Sequence, residues 1–169
     1  MNIGLDISTK VLGYAVSTKN KVVDCGFHDI SKIDDLLGKY LEIERFLNEY
    51  LEKYPEVETA TLEDFLKSFS GMRTSSNTIV KLTKINTLSE WYVYQRFGRE
   101  NMFHVHPSTA RKHVLGKGQF RGKDTKVEVG KLVESKYGVN LKWTKAGNLS
   151  KGNDDIADAV VLSKYPFSI

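Results

Sequence analysis

Cysteine is nearly absent from this sequence: Cys25 is the single thiol in 169 residues. That excludes an intramolecular disulfide framework and a Cys-rich zinc site, and it reads as an intracellular chain, cytoplasmic or in a host cytoplasm if viral. Long apolar runs are missing too. No uncharged stretch approaches the roughly 18 residues of a spanning helix, and Asp6 and Lys10 interrupt what would have to be the apolar core of a signal peptide. Secretion and a membrane partner are set aside. Nor does one charge dominate, since 25 Lys and Arg against 21 Asp and Glu leave only +4. A disordered polyelectrolyte and a histone-like wrapper are thereby excluded. Glycines 116, 118 and 122 form no phosphate-binding fingerprint, because no GKS or GKT closes the run. The four histidines lack metal spacing with a cysteine pair, and Ser8 has no histidine and acid in a nucleophile elbow. There is no internal repeat.

What is present suffices for one ordinary core, at 40% hydrophobic residues with 11% aromatic, and one domain over residues 1–169 is expected. Three short apolar runs, 1–5, 11–16 and 21–27, are separated by polar turns and predict a three-stranded meander. The period then changes. Apolar residues recur at three- and four-residue spacing over 31–54, which predicts a helix ending at Pro55. A strand over 57–62 follows, ending in Glu63, then a Ser- and Gly-rich loop over 67–76. Further elements are expected as a helix over 77–97, a strand over 102–105, a helical turn from Pro107, and helices over 124–137 and 155–164, with Asp124 and Asn153 or Asp154 as caps. This order predicts an α/β fold, a five-stranded mixed sheet flanked by helices.

Four acids stand where solvation is not the obvious explanation. Asp6 follows the core run Ile3-Gly4-Leu5, Glu63 ends another strand, and Asp155 and Asp158 share one helix face. Singly each has an ordinary reading: Asp6 as a turn residue, Asp155 as a first-turn acid, Glu63 as a polar strand exit. Together they form a repulsive cluster that a fold tolerates around a cation, and oxygen-only ligands favour Mg²⁺ or Mn²⁺ over zinc. Glu42, Glu44, Glu49 and Glu52 read instead as a solvated helix face.

Basic residues gather between 107 and 126, where Arg111, Lys112, Lys117, Arg121, Lys123 and Lys126 meet one acid, Asp124. A glycine-bearing basic loop suits a phosphate backbone; the plainer alternative is a solubilising surface. Phe65 and Phe69, directly after Glu63, are placed to stack on bases, with Arg73 a further DNA-contact candidate in the same stretch. Trp91 and Tyr94 read as helix-packing residues, and His104 and His106 as structural.

These segments are familiar as a set. IGLDISTKVLGYAV resembles the opening strand-turn-strand of RuvC-type Holliday junction resolvases, TLEDF their second-acid segment, and DDIADAVVL their closing D-x-x-D-A helix. HPSTARKHVLGKG is similar to the stretch leading into their basic loop, so the likeness spans nearly the whole chain. The resemblance implies a ribonuclease-H-like fold and a homodimer acting on four-way DNA junctions. It also implies two-metal hydrolysis with Mg²⁺, Mn²⁺ substituting, that leaves 5′-phosphates by paired cleavage. Asp6, Glu63, Asp155 and Asp158 match the family's four metal-binding acids. Arg111 and either Arg121 or Lys123 match its phosphate-contacting residues, with Lys123 the preferred aid to catalysis. Ile7 departs from the proline many relatives carry. The apolar side of the helix over 77–97 suits a dyad-related partner.

Three other readings fit parts of this pattern. The D-x-S-T opening also resembles sugar kinases and actin-like ATPases, but those need two such domains. A ribonuclease H or other branched-DNA nuclease would keep the same chemistry, and a catalytically silent DNA-structure-binding module would keep only the fold.

Overall fold

A computed structural model describes residues 1–64 and 76–169 of the chain. In chain order the elements are β1 (Asn2–Ile7), β2 (Val11–Ser17), β3 (Val22–Asp29), α1 (Leu36–Glu52), β4 (Thr59–Glu63), α2 (Ser76–Phe97), β5 (Met102–Val105), α3 (Pro107–Leu115), α4 (Thr125–Tyr137) and α5 (Asn153–Lys164). The strands form one five-stranded sheet in the order β3-β2-β1-β4-β5. β1, β2 and β3 are antiparallel neighbours, whereas β4 lies parallel to β1 and β5 parallel to β4. The expected mixed five-stranded sheet with flanking helices is therefore present. Among the described residues no helix is long and apolar enough to cross a membrane.

Strand periodicity divides the molecule into two cores. Along β1, Ile3, Leu5 and Ile7 turn to one face and join α1 and α2 residues such as Ile43, Leu47, Ile85 and Val93. The alternate residues Asn2, Gly4 and Asp6 turn to the opposite face, where α3, α4 and α5 join Val105 of β5 in a second core that includes Val114, Val133 and Val160. NIGLDI thus reads apolar on one side and small or polar on the other, and the small side is where a helix can come close.

Several boundaries differ from the sequence reading, each for a local reason. β1 runs through Asp6 to Ile7 because it pairs with β2 as far as Ile7↔Leu12. α1 begins at Leu36, not residue 31, since Asp35 accepts a hydrogen bond from Gly38 N (2.6 Å) and caps the helix there. Asp124 does cap α4, accepting from Lys126 N (2.8 Å). α5 starts two residues earlier than expected: neither Asn153 nor Asp154 caps it, because Gly152 takes the cap position at φ 80°, a left-handed conformation that suits glycine. At its other end Lys164 is buried, and its amine donates to the carbonyls of Thr18 (2.8 Å) and Lys19 (2.9 Å).

Candidate active site

Asp6 and Glu63 come from adjacent parallel strands. Leu5 is level with Leu62 in the β1–β4 register, so the next residues, Asp6 and Glu63, sit at the C-terminal ends of neighbouring strands. By strand alternation both turn to the α5 face with Gly4 and Thr61. The crevice outside the carboxyl ends of parallel strands is the usual ligand position in open α/β sheets.

α5 brings the other acids, and the sheet is shaped to receive it. A Cβ on Gly4 would stand 2.3 Å from Ala159 O and 2.3 Å from Ser163 N; one on Gly13 would stand 2.3 Å from Asp155 O. Only glycine at those positions lets the helix backbone approach so closely. Gly13 is also the residue paired with Asp6 across β1 and β2, so the gap it leaves seats Asp155 beside Asp6. Buried polar bonds pin the far end of the helix. Asn2 Nδ2 donates to Thr61 Oγ1 (3.1 Å) and to Ser163 O (2.9 Å), and the Ser17 and Ser163 hydroxyls share a 2.7 Å bond. Within α5 every residue is buried except Asp154, Asp155 and Asp158. The helix is a core element that opens to solvent only through acids.

Charge makes this a site under tension. Burial first, then the negative charges of Asp158, Glu63, Asp155 and Asp154, raise the Asp6 carboxyl well above the usual carboxylate range. Burial and Asp158 push Glu63 up to about 7, with Arg111 opposing. Burial and Asp154 lift Asp155 to about 6. Asp6 and Glu63 meet no hydrogen-bond donor among the described residues. Two cations offset part of this. Arg111, on α3, donates from Nη2 (2.8 Å) and Nε (3.2 Å) to Oδ1 of Asp158. Lys126 sits 2.5 Å from Asp154 Oδ2 and, although burial works the other way, holds that carboxyl below its ordinary range.

The donor chemistry fits a hard divalent cation: oxygens only, partly buried, and mutually repelling. Among the described residues, though, no three Asp, Glu, His or Cys side chains converge tightly enough to hold an ion as they stand. The acids share one field without sharing one centre, and Arg111 occupies the charge of Asp158. Both its contacts fall on Oδ1, and Oδ2 of Asp158 meets no hydrogen-bond donor among the described residues. A chamber of about 10 Å³, room for roughly one water, lies between Glu63, Asp158 and the apolar Pro107, Ala110, Val161 and Leu162.

Solved structures resemble this arrangement along its whole length. RuvC of Thermus thermophilus matches with a TM-score of 0.66 at 14% identity, covering 98% of this chain and 93% of that one. The same protein in complex with Holliday junction substrate matches at 0.67 and 13% identity, over 97% and 90%. The yeast mitochondrial Holliday junction resolvase Ydc2 matches at 0.60 and 14% identity, over 98% and 77%. The chain has the RuvC fold. No family model and no curated protein matches the sequence, so the likeness to RuvC-type resolvases read from four short motifs is borne out by backbone shape.

On this RuvC-like frame the remaining candidates separate. Arg111 and Lys126 are brought to acids, Arg111 half-buried against Asp158 and Lys126 exposed beside Asp154. Lys123 is instead 3.5 Å from Glu128 Oε2, and Lys112, Lys117 and Arg121 are exposed on α3 and the following loop. Phe65, Phe69, Arg73 and most of the loop expected over 67–76 lie outside the described residues. Sequence reasoning missed Asp154 as a fifth acid, although the doubled Asp of DDIADAVVL was a visible signal. It also missed the ion pair of Arg111, for which no signal existed, because α3 and α5 meet only in three dimensions. Trp91 and Tyr94 are not packing residues: they are 54% and 45% exposed and stack on each other, with ring centroids 5.6 Å apart.

Proposed function

We propose that the chain is a single-domain, divalent-metal-dependent endonuclease of branched DNA, chiefly four-way junctions, that cuts paired strands as a homodimer. The observation that carries this reading is the all-acid opening of α5 against Asp6 and Glu63, on a backbone similar to that of RuvC in complex with Holliday junction substrate. Asp6, Glu63, Asp155 and Asp158 would hold the metal, with Asp6 central because all the other acids act on it. When bound, a pair of Mg²⁺ ions, or Mn²⁺ in their place, supplies an acidified water and charge neutralisation at the leaving 3′ oxygen. No protein nucleophile is needed. Arg111 offers the nearest cation for charge developing on the phosphoryl oxygens, and Lys123 is the second candidate for that role. Lys112, Lys117, Arg121 and Lys126 hold the phosphate backbone, and Phe65, Phe69 and Arg73 are the contacts proposed for the segment after Glu63.

Paired cleavage needs two acid clusters at fixed separation, which a dyad supplies. Apolar surface for it is present on the opposite side of the sheet, where Leu37, Leu41, Val80, Trp91 and Tyr94 are exposed along α1 and α2. Light scattering should report a mass near twice the 19.2 kDa of one chain.

The deciding experiment is incubation with a strand-labelled mobile four-way junction, linear duplex and RNA:DNA hybrid, in Mg²⁺ and in chelator. Paired nicks with 5′-phosphate ends on the junction, in Mg²⁺ only, are expected. Binding without cleavage in either condition would leave a silent structure-binding module. Preferential cutting of the hybrid would make the chain a ribonuclease H.

A further inference from the structure

One ordered projection beside the acid cluster has no part in the reading above. After α4 the chain forms a short hairpin, with Trp143 and Leu149 bridged antiparallel, Ser150 N donating to Lys142 O (2.8 Å) and Thr144 N to Asn148 O (2.7 Å). Its tip turns through Gly147 at φ 81°, a left-handed conformation that suits glycine. The hairpin is fastened on two sides. Trp143 Nε1 donates to both Glu134 carboxylate oxygens (3.0 and 3.1 Å), and Trp143 and Leu149 close over Gly130 of α4. At the base, Lys142 N donates to Oδ1 of Asn153 (2.8 Å), the first residue of α5 and the neighbour of Asp154 and Asp155.

Its charge is of one sign. No acid occurs between Glu134 and Asp154, while Lys136, Lys142, Lys145 and Lys151 do. Two of these are committed elsewhere: Lys136 donates to Val114 O, and Lys151 lies 2.6 Å from Asp29 Oδ2. Lys142 and Lys145 are exposed and meet no acid among the described residues. Two cations that meet no acid among the described residues are thus held on a hydrogen-bonded hairpin whose base is tied to the residue before Asp154, in a cluster that repels polyanions. An anionic polymer entering the cluster gains most from cations fixed at its rim, because little ordering entropy remains to be lost on contact.

We propose that this hairpin is a second DNA-backbone contact, Lys142 and Lys145 gripping phosphates of a duplex arm that leaves the acid cluster. The proposal rests on the nuclease reading and is separable from it. Affinity for a four-way junction would be measured against salt concentration in chelator, for the wild type, Lys142→Ala/Lys145→Ala and Lys142→Arg/Lys145→Arg. Loss of two phosphate contacts should flatten the logarithmic salt slope by about 2, and the double arginine variant should restore it. An unchanged slope in the alanine variant, with the wild type binding normally, would make the hairpin a solvated loop and leave the nuclease reading intact. Absence of salt-dependent binding by the wild type would overturn both. Unaltered thermal unfolding of the alanine variant keeps the comparison free of a folding defect, as expected for two exposed side chains.

Discussion

α5 and α2 lie on opposite faces of the same sheet and are held by different means. α5 is enclosed on all sides, set against Gly4 and Gly13, and pinned by Asn2 and Ser17, with only its acids open. α2 buries a single stripe, Ile85, Ser89, Tyr92, Val93 and Phe97, and leaves Val80, Trp91 and Tyr94 uncovered. The difference shows how a fold can spend rigidity where charges must be held against their repulsion and leave apolar surface where no such constraint acts. Directional hydrogen bonds and steric contact fix a helix in register, whereas apolar packing tolerates small shifts.

Breaking the α5 side should have the largest effect. Gly13→Ala puts a methyl group into the Asp155 backbone, whose carbonyl atoms are the nearest neighbours and cannot swing aside as a flexible side-chain end would. Urea unfolding is expected to show a loss of ~3 kcal/mol or more, with cleavage lost as well. Retained stability would mean that α5 can lift from the sheet without cost.

Asp6→Asn separates chemistry from fold. Cleavage should vanish while the protein becomes more stable at pH 8 in chelator, because one charge leaves a repelling cluster. The pH response of the wild type has the same origin. Folded-state values raised to about 7 for Glu63 and about 6 for Asp155 mean that the folded protein binds protons more tightly than the unfolded chain. Stability in chelator should therefore fall as pH rises from 5 to 8, and Mg²⁺ should reverse the decline. A flat profile over that window would show the acids to be solvated.

Removing a pin should cost less. Asn2→Ala leaves Thr61 and the Ser163 carbonyl without their donor, for an expected loss of ~2 kcal/mol by chemical denaturation. On the α2 side, Trp91→Ser/Tyr94→Ser should change the unfolding free energy of the protomer by no more than ~0.5 kcal/mol yet halve the mass seen by light scattering. A protomer destabilised as strongly as by Asn2→Ala would place these rings in its own core.

Much of this arrangement was legible in the sequence because it depends on local pattern. Alternation in NIGLDI and TLE gave both strand-end acids, and helical spacing put Asp155 and Asp158 on one face. Proline at 107 and the Asp124 cap located α3 and α4. What escaped depended on pairing across long separations. β1 was expected to stop at Leu5, where the apolar run gives way to the polar turn beginning with Asp6; ladder bonds to β2 carry the strand on to Ile7. Trp91 and Tyr94 matched a helix-packing pattern that α2 satisfies with other residues. Arg111 read as a backbone contact because nothing in a linear chain announces that α3 ends up against α5.

Lys142 and Lys145 belong to the same class, unremarkable in sequence and notable only once Asn153 ties their hairpin to the start of α5.

The bond between Asn2 and Ser163 joins residues 161 positions apart. During synthesis β1 and β2 emerge early and present Asp6 and the seat left by Gly13, while the helix that fills the seat is made long afterwards. Asp6 and Glu63 can be laid out on the sheet before Asp155 and Asp158 have been translated. Contacts of such separation also form late, since the chain must close a long loop before they contribute. Ribosome-bound chains thus hold half of the acid set and none of the pins that fix the other half. The cluster is completed in one step with the docking of α5, so a nascent or C-terminally clipped chain lacks the full set of acids.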